Sequence, residues 1–278
     1  MIASSFSRRT LLTLIVSLAA AVAFAQDKPA SGDFQPEVGQ SGKDVVWVPT
    51  PQSLVNKMLD LAKVTPADFV IDLGSGDGRT VITAAKRGTR ALGIEYNPEM
   101  VALSQRNAAK EGVTDKAAFM KADLFESDFS KATVITMFLL PDINLKLRPK
   151  ILDLKPGTRI VSNSFTMGEW QHDRSVQATE SEGCQSYCTA YLWIVPAKVD
   201  GKWKLPEGEL TLKQSFQMIT GTLTAGGKST PIKGRLSGDQ ITFKAGNTEY
   251  RGRVAADDIR GTVKAGSGAG EWSAHRSG

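Results

Sequence analysis

The sequence predicts a doubly wound α/β sheet followed by a small antiparallel all-β domain. Between residues 69 and 196, short apolar runs alternate with helical patterns, an order typical of a mostly parallel sheet covered by helices. After Pro196 the helical period disappears, and short strand-like runs are separated by Gly, Asn and Asp. A chain of 278 residues is long enough for one medium and one small domain, here residues 46–197 and 198–278.

The first domain begins with a predicted helix near Thr50. Thr50 is a residue type that caps helices, Pro51 suits the first helical position, and Pro66 ends the apolar helical pattern. The predicted strands that follow are Phe69–Leu73, Ala91–Ile94, Ala117–Met120, Thr133–Leu139, Arg159–Ser162 and Tyr191–Val195. The predicted helices between them are Arg79–Arg87, Pro98–Glu111 and Ile143–Leu152.

The second domain contains a weak internal repeat. Gly234–Ile241 and Gly252–Ile259 match at a spacing of 18 residues, and each is typical of strand, tight turn and strand. The pattern predicts a small β-sandwich or partial barrel. Residues 198–278 carry 13 Lys and Arg against 8 Asp and Glu. This excess is typical of a solvated sheet surface, with docking of an anionic envelope component as the alternative.

The N-terminus carries the features of an export signal. Arg8 and Arg9 precede a short apolar stretch that closes on a small-residue cleavage motif, and the paired arginines match the twin-arginine route. We therefore expect a signal peptide at residues 1–25, with an uncleaved anchor as the alternative, and a flexible lead-in at residues 26–45. Both alternatives predict a periplasmic or envelope-associated protein.

The composition argues against two kinds of partner. The net charge is only +5, and Arg8 and Arg9 belong to the predicted leader, so no nucleic-acid partner is expected. With two histidines and two cysteines in the chain, metal ligands are scarce and no metal is expected. The cysteines, Cys184 and Cys188, can pair in an oxidising compartment.

The strongest local signal lies between the first strand and the next helix. Three glycines at alternate positions allow a tight turn and a close approach of a ligand to the backbone. Arg79 stands where a dinucleotide fingerprint places its third glycine, which disfavours a nicotinamide oxidoreductase. The residues of this segment predicted to contact a ligand are Asp72, Gly74, Ser75, Gly76, Asp77 and Gly78.

Two further acids follow the second and third strands. Glu95 lies 21 positions after Gly74, an offset that suits a carboxylate accepting from two ribose hydroxyls, and Tyr96 is placed to lie along an adenine face. Asp123 is placed to accept from an adenine amine while Leu124 packs against the ring. Acids at the carboxyl ends of three consecutive strands indicate a nucleoside with a charged, non-phosphate tail.

With these motifs, residues 48–196 resemble a class I S-adenosylmethionine-dependent methyltransferase. Asp72–Gly78 matches the first motif of that family, and Glu95 and Asp123 match the second and third. The resemblance implies a seven-stranded Rossmann-like sheet and S-adenosyl-L-methionine as the cofactor. It places the methionyl part in the glycine loop, with its ammonium group at Asp72, the ribose at Glu95 and the adenine at Asp123.

Three segments on the substrate side, Val48–Pro51, Phe138–Pro141 and Phe165–Trp170, resemble protein-lysine methyltransferases of mitochondrial inner-membrane proteins and their bacterial relatives. This likeness implies transfer to an amine, with a lysine on a membrane-associated protein as the acceptor. An apolar slot favours the uncharged amine. The residues predicted to form the catalytic side are Thr50, Phe138, Pro141, Phe165 and Trp170, with Asn163 and Ser164 helping to orient the amine.

Trp170 is included because its sequence neighbours are polar and leave it little core to join. The alternative function is an exported, non-catalytic nucleoside-binding or interaction module of the cell envelope. It follows from a location problem: the cofactor is made in the cytoplasm, whereas the leader predicts export.

Overall fold

The computed structural model describes residues 34–266 and 268–277. The predicted signal peptide and the first part of the lead-in lie outside these residues. Within the described residues, no helix has the length and apolar character needed to cross a membrane. The described chain forms a sheet domain followed by a barrel.

Seven strands form the sheet of the first domain: β1 (Phe69–Leu73), β2 (Arg90–Glu95), β3 (Ala117–Lys121), β4 (Val134–Met137), β5 (Arg159–Asn163), β6 (Arg174–Gln177) and β7 (Thr189–Ile194). Their order is β3-β2-β1-β4-β5-β7-β6, with β1 to β5 parallel and with β7 antiparallel to both of its neighbours. The strand order reverses at β1 and β4. Ligands bind open α/β sheets at the carboxyl end of such a reversal.

Four helices cover the two faces of the sheet: α1 (Gln52–Leu61), α2 (Arg79–Lys86), α3 (Pro98–Lys110) and α4 (Pro141–Leu152). The apolar sides of α1 and α2 share a buried cluster with Val70 of β1. On the opposite face, Ile143 and Leu147 of α4 are buried with Ile71, the next residue of β1. Because successive strand residues point to opposite faces, this arrangement confirms the predicted doubly wound sheet.

The sequence pattern missed β6, the strand at the edge of the sheet. Three of its four residues are exposed, so it lacks the apolar run that marked the other strands. It pairs antiparallel with β7. The connection between the two contains a 3₁₀ turn, Glu180–Glu182, and a disulfide between Cys184 and Cys188.

Eight antiparallel strands make up the second domain: β8 (Gly201–Leu205), β9 (Gly208–Ser215), β10 (Met218–Ala225), β11 (Lys228–Ser237), β12 (Gln240–Ala245), β13 (Thr248–Ala255), β14 (Asp258–Ala265) and β15 (Gly268–Arg276). The all-β domain is confirmed. The expected sandwich or partial barrel is corrected to a closed barrel, because β15 pairs with β8. The closure is made by two residue pairs, His275 with Lys204 and Arg276 with Trp203.

The internal repeat corresponds to two successive hairpins of this barrel. The first runs from β11 into β12 and the second from β13 into β14. Gly238 and Ala256 hold the same place in the two turns, and both have left-handed backbone, with φ of +61° and +52°. Turns of this conformation match the twist of the strands that they connect.

The barrel packs against the sheet domain around Trp170 and Phe216. Their rings stack with centroids 5.9 Å apart. Arg235 of the barrel forms an ion pair with Asp173, and the Gln217 side chain donates to the Gln171 carbonyl at 2.7 Å. The interface therefore combines the buried ring of Trp170 and the partly buried ring of Phe216 with polar contacts at its border.

Candidate active site

The loop Gly74–Gly78 connects β1 to α2 at the carboxyl edge of the sheet. The N–H groups of its first two residues donate to the Ile94 carbonyl of β2 at 2.9 and 3.1 Å. The Ser104 hydroxyl of α3 donates to the Gly76 carbonyl at 2.7 Å. Neighbouring elements thus hold the loop in place, which lowers the entropy cost of binding a ligand there.

Gly78 is required for packing within the protein. Its φ is +83°, and a Cβ at this position would lie 2.8 Å from the Phe119 ring and 2.9 Å from the Ser104 Cβ. It is the one predicted cofactor residue that does not line the cleft described below. The lack of a side chain at Gly78 therefore allows the start of α2 to pack closely against α3 and β3.

We expect Gly78→Ala to lower the free energy of unfolding by about 2–4 kcal/mol, the sum of left-handed strain and overpacking. Gly112→Ala is the matched control, because Gly112 also has positive φ (+66°) but nothing within 4 Å of its Cβ position. The control should lose about 1 kcal/mol in urea unfolding. Equal losses in the two variants would contradict the packing argument.

Glu95, at the end of β2, faces the glycine loop. One carboxylate oxygen accepts from the Gly76 N–H and the other from the Asn97 N–H, both at 3.0 Å. Asn97 in turn caps α3, where its side chain accepts from the Glu99 N–H at 2.9 Å. Glu95 is therefore fixed at the cleft wall. Tyr96, the next residue, is half-exposed at its mouth.

Asp72 is a buried carboxylate on β1. It accepts from the Thr136 hydroxyl at 2.6 Å. Burial, together with the neighbouring charges of Glu95 and Asp77, raises the pKa of Asp72 to about 7, although the hydrogen bond from Thr136 lowers it in part. A positive group placed next to Asp72 would favour its ionised form. The site thus suits an ammonium group.

Asp123 follows β3 and is bound by the lead-in segment. One carboxylate oxygen accepts from the Phe125 N–H at 2.9 Å, and the other forms an ion pair with Lys43. The hydrogen bonds from Lys43 and Phe125 hold the pKa of Asp123 below its usual range. The Lys43 ammonium also lies 4.9 Å from the ring centre of Tyr96. Lys43 thus contacts Asp123 and Tyr96, two of the three residues predicted to hold adenine.

The described part of the lead-in, residues 34–45, contributes to a short hairpin beside the cleft. Gly39 and Gln40 form backbone hydrogen bonds with Trp47 at 2.9 and 2.8 Å, closing a short hairpin. Residues 40–50 line the cleft. Sequence reasoning did not place residues 34–45 at the cleft because they are mostly polar and have no helical or strand period.

One cleft gathers nearly all of the predicted cofactor residues. Carboxylates from three strand ends, the glycine loop and the adenine-side residues share its wall, and those that line it are Asp72, Gly74, Ser75, Gly76, Asp77, Glu95, Tyr96, Asp123 and Leu124. The Ser75 hydroxyl is buried here and has no hydrogen-bond partner among the described residues. An unpaired buried hydroxyl within the glycine loop fits a ligand that completes the hydrogen bonding.

Thr50 lines the cleft beside this region. Thr50 was predicted to cap α1. It does not, because Pro51 is in the capping position. Its hydroxyl accepts from the Asn163 amide at 3.2 Å, and the Asn163 oxygen accepts from the Ser164 hydroxyl at 2.8 Å. Arg79 donates to the Thr50 carbonyl at 2.9 Å. The predicted polar group of Thr50, Asn163 and Ser164 is thus a connected chain.

Phe138 follows β4 and lines the same cleft. Its ring stacks on that of Phe165 with centroids 6.0 Å apart, so Phe165 adjoins the cleft through Phe138. Pro141 begins α4 in an exposed position and does not line the cleft. Of the predicted catalytic residues, Thr50 and Phe138 therefore reach the cleft itself.

The prediction that Trp170 has little core to join is wrong. Trp170 is fully buried, and its ring lies 5.9 Å from Phe216 and 6.3 Å from Trp193. The Trp193 indole N–H donates to the Trp170 carbonyl at 2.7 Å. Trp170 joins a core made by distant residues, which its polar sequence neighbours did not reveal, and it lies outside the cleft.

Tyr187 was missed by the sequence analysis. It lies between the paired cysteines, and its ring meets the edge of Phe138 with centroids 5.2 Å apart and lies 6.0 Å from Phe165. The only sequence signal was an aromatic residue inside a short cysteine-closed loop. The structure thus adds a third ring to the predicted aromatic pair.

Comparisons with known proteins find similarity to methyltransferases. The model of the ANTKMT methyltransferase domain matches residues 72–174. A Saccharolobus islandicus relative called protein-lysine N-methyltransferase is 44% identical over 154 residues, which are 54% of this chain and 94% of that protein. A human lysine N-methyltransferase named for ATP synthase is 38% identical over 46% of this chain and 54% of its own length.

A solved structure shares the fold and identifies the cofactor. It is a Salinibacter ruber protein described as an RNA methyltransferase, in complex with S-adenosyl-L-homocysteine. It is 46% identical, covers 55% of this chain and 96% of its own, and has a TM-score of 0.51. This chain thus spans nearly all of the archaeal and Salinibacter proteins but about half of the human one.

The fold and the three acids of the cleft define a class I methyltransferase that uses S-adenosyl-L-methionine. Within that class, the chain belongs to the family that includes the protein-lysine N-methyltransferase of Saccharolobus islandicus and is related to the ATP synthase lysine N-methyltransferases of animals. It is therefore an enzyme.

Proposed function

We propose that this enzyme methylates the ε-amine of a lysine side chain in a protein. The observation that carries the proposal is the continuity of the cleft with an aromatic cluster. Phe138 lines the cleft and contacts Phe165 and Tyr187. The relatives support the same acceptor, because several of them are named as lysine N-methyltransferases.

S-adenosyl-L-methionine supplies a methyl group on a positively charged sulfur, which is already a good electrophile. The protein has to align the amine and exclude water, and alignment alone contributes up to about 7–11 kcal/mol in favourable cases. The aromatic rings would surround the alkyl chain of the lysine. An apolar surrounding lowers the pKa of an amine and favours its uncharged, nucleophilic form.

Thr50 is suited to orient that amine. Its hydroxyl accepts one hydrogen bond from Asn163, and a hydroxyl oxygen has two lone pairs. The second lone pair can accept a hydrogen bond from an N–H of the substrate amine. The lone pair of the amine nitrogen would then point away from Thr50 and stay free to attack the methyl group. Two acid side chains of the cleft already have partners: Glu95 accepts from the Gly76 N–H, and Asp123 pairs with Lys43.

The direct test is to incubate the purified protein and S-adenosylmethionine carrying a deuterated methyl group with an envelope protein extract and, separately, with total RNA. Mass spectrometry should find the labelled methyl on lysine nitrogen in the protein sample. Glu95→Ala protein is the inactive control. RNA is tested because the Salinibacter ruber relative is described as an RNA methyltransferase. Label on RNA and none on lysine would overturn the proposal.

We also propose that the enzyme acts outside the cytoplasm on a membrane-associated protein. The disulfide between Cys184 and Cys188 supports this location, since disulfides persist mainly in oxidising compartments. The paired Arg8 and Arg9 support export of the folded protein with its cofactor already bound. Cell fractionation should find oxidised protein in the periplasm. Reduced, full-length protein in the cytosol would contradict this location.

A further inference from the structure

We propose that Tyr187 forms one wall of the acceptor-lysine slot and that the disulfide between Cys184 and Cys188 holds it there. This inference rests on the proposed function, because it assigns a specificity-determining residue to the same site. Three rings meet at this point, with centroids separated by 5.2 Å (Phe138 and Tyr187), 6.0 Å (Phe165 and Tyr187) and 6.0 Å (Phe138 and Phe165). All three distances are within the range of direct aromatic contact.

The position of Phe138 connects this cluster to the cofactor. Phe138 is the member that lines the cofactor cleft, and Tyr187 is the member most open to solvent, with 44% of its surface exposed. The three rings thus extend from the cleft to the protein surface. A side chain that enters from solvent would pass Tyr187 before it reaches the methyl donor.

The backbone of Tyr187 is unusual for so large a residue. Its φ is +54°, in the left-handed region that bulky side chains rarely adopt. Such conformations persist where the surrounding structure imposes them, and they concentrate at functional sites. Ser164, next to Phe165, has a similar φ of +57°. Two non-glycine residues thus have left-handed backbone at this cluster: Tyr187 within it and Ser164 beside it.

The disulfide explains how the conformation is kept. Cys184 is buried and Cys188 partly buried in the apolar cluster beneath α1 and α2. The Cys184 N–H donates to the Thr179 carbonyl at 3.1 Å, and the Cys188 carbonyl accepts from the Ala178 N–H at 2.8 Å. Both ends of the loop are thus tied to the core. The closed loop displays Tyr187 outward, against Phe138.

This arrangement suits the side chain of lysine. An ammonium group is attracted to aromatic faces while it enters, and the alkyl chain gains from burial against the rings. Loss of one ring should weaken capture of the acceptor more than the methyl transfer that follows. Tyr187 does not line the cofactor cleft, so cofactor affinity should stay unchanged.

The test compares Tyr187→Ala, Tyr187→Phe and the double variant Cys184→Ser/Cys188→Ser with the full-length wild type. The acceptor probe is a fixed mixture of synthetic peptides with one central lysine each. We expect Tyr187→Ala to raise the acceptor KM about fivefold to tenfold, the size of a cation–π contact. Tyr187→Phe should keep the acceptor KM of the wild type, because the aromatic ring is retained. The affinity for S-adenosylhomocysteine should stay within about twofold in all variants.

The cysteine variant should raise the acceptor KM in the same direction as Tyr187→Ala. Dithiothreitol should do the same to wild type: it donates two electrons and two protons to the S–S bond, leaves two thiols and becomes a cyclic disulfide. Met218→Ala is the matched control, because Met218 is similarly exposed (43%) but lies on the barrel. It should leave all constants unchanged.

The outcomes separate this inference from the proposed function. An unchanged acceptor KM in Tyr187→Ala, with wild type active on the peptides, contradicts the role of Tyr187 alone. A failure of Tyr187→Phe to restore the KM contradicts the role of the ring. Wild-type protein that binds S-adenosylhomocysteine but methylates no lysine peptide contradicts the proposed acceptor and this inference together.

Discussion

Replacing Asp72 with asparagine is expected to stabilise the cofactor-free protein above neutral pH and, at the same time, to weaken cofactor binding about 100-fold. The two effects have one cause. Asp72 is a buried carboxylate whose pKa is raised to about 7, first by burial. Keeping it ionised without a positive partner therefore costs free energy, and the ammonium group of the cofactor would supply that partner, in a charged hydrogen bond that contributes about 1.5–3 kcal/mol.

The sign of the pH dependence follows from linkage. The folded pKa of Asp72 lies above its ordinary value of 3.8. The penalty is absent below that ordinary value, grows as the pH rises towards 7, and is complete above it, where it reaches about 4 kcal/mol. Asparagine is neutral throughout and can still accept from the Thr136 hydroxyl. Its stabilising effect should therefore be large near about pH 8 and small near about pH 4.5.

Urea unfolding at both pH values measures this difference, and Asp68→Asn is a control of opposite sign. Asp68 is as buried as Asp72, at 7% and 6% exposed. Burial alone would raise the pKa of Asp68, but hydrogen bonds from Thr133, Thr65 and Arg159 outweigh it and lower that pKa. Asp68→Asn should thus destabilise the protein, most strongly at the higher pH. The same sign of effect in both variants would contradict this electrostatic account.

Glu95→Ala should raise the dissociation constant for S-adenosylhomocysteine at least about 100-fold, because a carboxylate that accepts from two ribose hydroxyls contributes about 1.5–3 kcal/mol for each charged hydrogen bond. The variant also removes the acceptor of the Gly76 N–H, which loosens the glycine loop. Isothermal titration calorimetry measures the constant. Urea unfolding checks that the variant is folded.

Glu99→Ala is the control for this variant. Glu99 has the same side chain and lies four residues further along, exposed in the first turn of α3. We expect the dissociation constant of Glu99→Ala protein for S-adenosylhomocysteine to stay within about twofold of the wild-type value. A Glu95→Ala protein that binds within about fivefold of wild type would show that the ribose does not lie at Glu95.

The elements that the sequence predicted well are those with a local signal. β1, β4 and β5 are buried along nearly their whole length because helices cover both faces of the sheet, and their apolar residues gave a recognisable signal. β6 has a single partly buried residue and no such run. Closure of the barrel depends on the pairing of Lys204 with His275, which are distant in the chain and carry no shared pattern.

The same distinction separates the residues of the site. Asp72, Glu95 and Asp123 were found because each lies at or just after the carboxyl end of a recognisable strand, and parallel strand ends meet at one edge. The contacts of Lys43 with Asp123, and of Tyr187 with Phe138, join segments with no local signal. Trp170 was misjudged for the same reason, since its main partner is Phe216, at the barrel.

A crystal structure of the protein with S-adenosylhomocysteine would show whether the three acids hold the nucleoside. We expect the ribose hydroxyls within hydrogen-bonding distance of Glu95, the adenine amine at Asp123 in place of Lys43, and the sulfur facing Phe138. A nucleoside bound elsewhere, or bound in this cleft with Glu95 and Asp123 turned away from it, would show that these acids do not form the cofactor site.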